Sequence, residues 1–94
     1  MRAGLPEPRL QVPFFDDAGL IGYVDMYFDT LGVIGEADGL VKYSTGADLL
    51  AEKRREDRLR RLHPVVRWGW QQIWSNPERV AGQIREAATW RRAG

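Results

Sequence analysis

The sequence predicts a small α/β (α+β) domain with elements in the order βββαβα. Three observations predict it. Two β-type runs lie either side of a short polar pair near the start, a charged helix-forming stretch sits between strand-like segments, and the last third opens on Asn76-Pro77 and carries apolar residues at helical spacing. A helix placed between two strands permits a parallel crossover.

Leu5-Pro6-Glu7-Pro8 is a stiff extended lead-in, because proline fixes φ and biases its neighbour toward extended backbone. The first strand is predicted over Leu10 to Phe15, and Asp16-Asp17-Ala18-Gly19 supplies turn chemistry into a second run that reaches Phe28. Asp29-Thr30 then reads as a two-residue turn into a third run, Leu31 to Asp38, completing an antiparallel meander. Gly39 to Gly46 is a loop. Asp48 is the expected N-cap of a helix running to Leu62, with Leu49, Leu50, Leu59 and Leu62 as an approximate apolar stripe and Lys53 with Asp57 as a possible i,i+4 pair. His63-Pro64 ends that helix, Val65 to Trp70 reads as a short strand, and Gln71 to Ser75 as a helical turn. Asn76 caps a final helix from Pro77 to about Trp90, packed through Val80, Ile84, Ala87 and Ala88.

A chain of 94 residues supports one modest core. The absence of cysteine excludes disulfides and thiolate metal ligands, and a single histidine, His63, leaves little for zinc. His63 reads as a helix-end residue near the negative pole of the dipole rather than a general base. No apolar stretch approaches a membrane span and no signal-peptide pattern opens the chain, so a cytoplasmic protein without membrane attachment is expected. Net charge is +1 but uneven: acids dominate before residue 51, whereas arginines dominate after it, from Arg54 and Arg55 through Arg67 to Arg92. Such a basic half suits a phosphate backbone, and equally suits solvated helix faces. Neither a Gly-x-Ser-x-Gly elbow nor a phosphate-binding Gly-rich loop is present.

The residues with most chemistry are Asp25, Glu36 and Asp38. With a two-residue turn, Asp25 lies opposite Ile34, and period-two alternation puts Glu36 and Asp38 on the face of Asp25. Asp25 and Glu36 are then diagonal neighbours roughly 7–8 Å apart, within reach of one hydrated hard cation such as Mg²⁺ or Mn²⁺. The plainer reading is strand acids facing solvent and an ordinary Asp38-Gly39 turn.

With these pieces in order, the sequence resembles the restriction-endonuclease-like PD-(D/E)XK superfamily, and within it the very-short-patch-repair-like endonuclease domains found at the carboxyl end of abortive-infection antitoxin-like bacterial proteins. The resemblance runs through Gly4 to Pro8, Gln11, Val24-Asp25, Gly35-Glu36-Ala37-Asp38-Gly39, Val41-Lys42-Tyr43, Glu52 to Asp57 and Val65-Val66-Arg67-Trp68. It implies a restriction-endonuclease-like core and a Mg²⁺-dependent (or Mn²⁺-dependent) endonuclease, a hydrolase of DNA. Asp25 and Glu36 would bind metal, the Ala37 carbonyl would join them, and Lys53, Arg54, Arg55 and Arg67 would contact the nucleic acid.

Two departures mark the chain. The motif's lysine position holds Asp38, so either Asp38 is a third metal ligand or the lysine function passes to Lys42 or Lys53, which would orient the attacking water and steady charge on the phosphate. The family's first helix is missing, so residues 1–94 are expected as a single endonuclease-like domain truncated at its amino end, with a homodimer partner or an upstream domain covering the sheet. The alternative function is a catalytically inactive nuclease-fold module, binding DNA or another protein in a toxin-antitoxin or phage-defence system. Trp68 is expected in the core, whereas Trp70 and Trp74 are candidates for either core packing or stacking on bases.

Overall fold

The computed structural model describes residues 4–38 and 45–93, without the side chains of Asp38, Trp70 and residues 91–93. Its elements are β1 (Arg9–Asp16), β2 (Gly19–Phe28), β3 (Val33–Asp38), α1 (Gly46–Leu62), β4 (Val65–Gly69), α2 (Trp70–Ser75) and α3 (Pro77–Ala93). They form a mixed α+β fold on one four-stranded sheet of order β1-β2-β3-β4. The first two pairings are antiparallel, and α1 carries the chain across to β4, which lies parallel to β3. Among the described residues no helix is long and apolar enough to cross a membrane.

Alternation along the central strands divides the core between the two sheet faces. Phe28, Val33, Val66 and Trp68 pack with α3, which contributes Val80, Ala81, Ile84, Ala87 and Ala88 at helical spacing. Ile21, Val24, Ile34 and Val65 pack on the other face with Leu59 of α1. The lead-in is anchored as well, since Leu5 is buried in the α3 cluster. At the end of α1, His63 closes the helix by donating its backbone N–H to the Leu59 carbonyl, and its ring lies against those of Phe14 and Tyr27.

The β2–β3 turn differs from the two-residue expectation. Phe28 O accepts from both Leu31 N (3.0 Å) and Gly32 N (2.7 Å), and Gly32 adopts a left-handed φ of 68°, so the loop spans Asp29 to Gly32. Glycine takes that conformation without the Cβ penalty, which lets the turn lengthen. The register is consequently Tyr27↔Ile34 and Met26↔Gly35, displaced by two residues from the expected Asp25↔Ile34.

Helix α1 also starts differently. Thr45, not Asp48, is the N-cap, with Thr45 Oγ1 accepting from Asp48 N at 3.1 Å. The leucine stripe does not pack: Leu59 is fully buried, while Leu49, Leu50 and Leu62 remain exposed. The side of α1 that meets the sheet is instead Glu52, Arg55, Glu56 and Leu59, an i, i+3, i+4, i+7 set made mostly of ions. At the other end, Trp70 belongs to α2 rather than β4, with Gly69 N donating to Gln72 Oε1. Asn76 caps α3 as expected, its Oδ1 accepting from Arg79 N.

Candidate functional site

Asp25 stands at an irregular point of the sheet. Residues two apart on a regular strand share a face, yet Met26 and Phe28 pack toward α3 whereas Val24 packs toward α1. The alternation therefore slips at Asp25. Its neighbour across the hairpin slips too: Gln11 has φ 52°, and the pairs on either side are Leu10↔Met26 and Val12↔Val24. Left-handed backbone at a residue other than glycine is uncommon. At the slip the Asp25 carboxylate does what a backbone carbonyl would do in a regular ladder, with Oδ2 accepting from Ala37 N at 2.9 Å.

Glu36 leaves β3 on the α1 side and is 6% exposed, the one charged residue in the buried set among the described residues. Its Oε1 lies 2.9 Å from Arg55 Nη1, an ion pair set off the hydrogen-bond line. Burial raises the Glu36 pKa above its ordinary value; the Arg55 charge opposes the rise and the Asp25 carboxylate adds to it. Asp25 borders a cavity whose wall includes Met26 and Trp68, on the other side of the sheet from α1. The single acidic face expected from strand alternation is thus divided about the plane of the sheet. The Asp25 carboxylate nonetheless remains close enough to act on the charge of Glu36.

Arg55 is the hub of an ionic layer between α1 and the sheet. Nη1 also lies 3.2 Å from Glu52 Oε1, and Nη2 donates to the Tyr23 carbonyl at 2.6 Å. A Cβ at Gly22 would stand 3.0 Å from Arg55 Nε, so the bare backbone there leaves room for the guanidinium. Arg67, the register partner of Glu36, donates through Nη2 to Glu52 Oε1 at 2.7 Å and brings Nε within 2.8 Å of Glu56 Oε1. Glu52 thus bridges both arginines. Sequence carried one usable signal for Glu52: its spacing to Arg55 and Glu56 places the three on one helix face.

Of the residues expected to touch nucleic acid, Arg55 and Arg67 are engaged in this ionic layer, whereas Lys53 and Arg54 are exposed on α1. Lys42, Gly39 and Tyr43 lie outside the described residues, as does the Asp38 side chain. Among the described residues, no group of three or more His, Asp or Glu side chains is placed to hold a metal ion. Hard cations take carboxylate oxygens, the donor type that Asp25 and Glu36 carry.

A second charged contact fixes α1 to the β1–β2 turn. Arg58 grips Asp16 bidentately, Nε to Oδ2 at 2.7 Å and Nη2 to Oδ1 at 2.6 Å. The Arg58 hydrogen bonds hold the Asp16 pKa down from 3.8 to about 2. A lowered carboxylate pKa stabilises the fold above its unfolded value and loses that contribution as pH falls through the folded one. Acid unfolding should therefore contain a component between 3.8 and about 2 that Arg58→Gln removes, as read by circular dichroism across that range. Glu36 runs the opposite way, since its raised pKa makes the fold less stable as pH rises from the ordinary carboxylate range through its own titration.

No protein-family model, curated protein or solved structure matches the chain.

Proposed function

We propose that the chain is a metal-dependent endonuclease domain of the restriction-endonuclease-like PD-(D/E)XK type, cytoplasmic, hydrolysing DNA phosphodiester bonds. The observation that carries the reading is that Asp25 and Glu36, on adjacent strands and on opposite sides of the sheet, lie close enough for the Asp25 charge to act on Glu36, with a parallel β3–α1–β4 crossover behind them. The resemblance of the Val24-Asp25 and Gly35-Glu36-Ala37-Asp38 segments supports it.

Asp25 and Glu36, with the Ala37 carbonyl and Asp38, are the residues that would hold Mg²⁺ or Mn²⁺. The bound ion would supply Lewis-acid polarisation of the phosphate and a more acidic water. The chain's own part is to present carboxylates that favour a second positive charge. Glu36, with its raised pKa, is a buried acid whose charge Arg55 only partly compensates, so added positive charge nearby favours the ionised form. Lys53 and Arg54, exposed on α1, would hold the DNA backbone, and Lys42 or Lys53 would assist the attacking water.

A second reading, a catalytically inactive nuclease-fold module for DNA or protein binding, is favoured by one observation. Arg55 already stands 2.9 Å from Glu36, a charge partner a metal would have to displace or share. Exposed Phe15, Leu20 and Tyr23 on β1 and β2 would, on either reading, be covered by a second copy or an upstream domain.

Nicking of supercoiled plasmid tests the proposal. Wild-type protein should nick with Mg²⁺ or Mn²⁺ and not with EDTA, and Glu36→Gln should lose at least about a hundredfold in rate, the scale of removing one electrostatic transition-state group. Metal-independent nicking, or full activity in Glu36→Gln, would overturn it. DNA binding without cleavage, weakening steeply with salt, would select the second reading.

A further inference from the structure

A cavity of about 530 Å³ opens between the β1–β2 hairpin and α2, away from the ionic layer under α1. Leu10, Met26, Trp68, Ile73 and Trp74 make its wall largely apolar, and its size suits a small organic molecule. The charged side chains lining it among the described residues are both acids, Glu7 and Asp25.

Three features separate this cavity from an ordinary surface hollow. Asp25 is aimed, because Oδ2 is fixed by the Ala37 N–H at 2.9 Å and the rest of the carboxylate's acceptor capacity lies beyond that bond. Gln11, also in the wall, holds the left-handed φ of 52° that accompanies the slip in both strands, and costly backbone of this kind concentrates at ligand sites. Trp74 is 80% exposed at the rim, an indole face open to water where a cation would be attracted to the ring quadrupole.

We infer that this cavity binds a small organic cation with an apolar body, of the arylalkylammonium class. The ammonium would sit between the Asp25 carboxylate and the Trp74 ring, with the body against Leu10, Met26 and Ile73. An anionic ligand such as a nucleotide is disfavoured, since its phosphate would meet the Asp25 carboxylate. The inference stands apart from phosphodiester cleavage and shares only Asp25 with it.

The test is a titration of the ¹⁵N-labelled 94-residue chain, in EDTA so that no metal competes for Asp25, with 2-phenylethylammonium and with neutral 3-phenylpropan-1-ol. Saturable shifts of the tryptophan indole N–H resonances and of the Ala37 amide are expected with the cation, and binding about tenfold weaker with the alcohol. Asp25→Asn keeps an acceptor for the Ala37 N–H while removing the charge, and should weaken the cation about tenfold. Trp74→Ala, at an exposed position that leaves the fold intact, should weaken it several-fold and provides an independent reading should Asp25→Asn fail to fold. Absence of saturable shifts, equal affinity for the alcohol, or unchanged affinity in either variant overturns the inference.

Discussion

Arg55→Ala is expected to lower stability by about 3 kcal/mol at neutral pH, the low end of the cost of stranding one member of a buried ion pair. The magnitude follows from what stays behind. The Glu36 side chain is 8% exposed against 21% for Arg55, so the loss leaves a carboxylate in poor solvent while the arginine's own desolvation is only partly recovered. The Tyr23 carbonyl also loses its 2.6 Å donor, and the Arg55 stem no longer covers Gly22. Urea unfolding at several pH values tests the cause. Because Glu36 titrates above the ordinary carboxylate range, acidification should neutralise it and shrink the penalty, and the same substitution should cost less in a Glu36→Gln background. A penalty equal in both backgrounds would mean that Arg55 acts through packing alone.

Gly35→Ala carries the second large effect, about 2–3 kcal/mol, from overpacking rather than from lost contact. A Cβ at Gly35 would stand 2.7 Å from Trp68 Cη2, with Phe28 Cε2 at 3.4 Å and Met26 Cβ at 3.5 Å. Trp68 is 3% exposed and its ring is rigid, so the strand or the indole must shift as a body. Trp68→Phe should reverse its sign with context, destabilising the wild type by leaving a void and relieving strain beside Ala at position 35. Denaturation of the two single variants and the double variant decides it; equal effects of Trp68→Phe in both backgrounds would place the clash elsewhere.

The parts of the fold legible in the sequence are those where apolar periodicity and backbone chemistry agree. The β1 and β2 runs and the α3 stripe at Val80, Ile84, Ala87 and Ala88 lie where the pattern puts them, because apolar side chains there have one dry place to go. The hairpin register differs by two residues from the expected one because Gly32 can serve either as the start of a strand or as a left-handed turn residue. An even displacement preserves alternation, so this alone would have left Asp25 and Glu36 facing the same way. What divided them was the slip at Gln11 and Asp25, for which neither residue type gives a signal. Helix α1 departs from the expected stripe for a different reason. Its buried side does follow the helical period, through Glu52, Arg55, Glu56 and Leu59, but in charged residues that ordinarily mark a solvated face. The exposed leucines, Leu49 and Leu50, pointed to the wrong side.

The claim on which the functional account turns is that Asp25 and Glu36 together hold a divalent cation, and Mn²⁺ binding followed by water-proton relaxation measures it without recourse to catalysis. Saturable binding to the wild-type chain is expected, lost in Asp25→Asn and in Glu36→Gln, and strengthened in Arg55→Met once the competing guanidinium is removed. Wild-type protein that leaves Mn²⁺ relaxation at its free-ion value, or binding that survives both carboxamide variants, would rule out a cation held by Asp25 and Glu36.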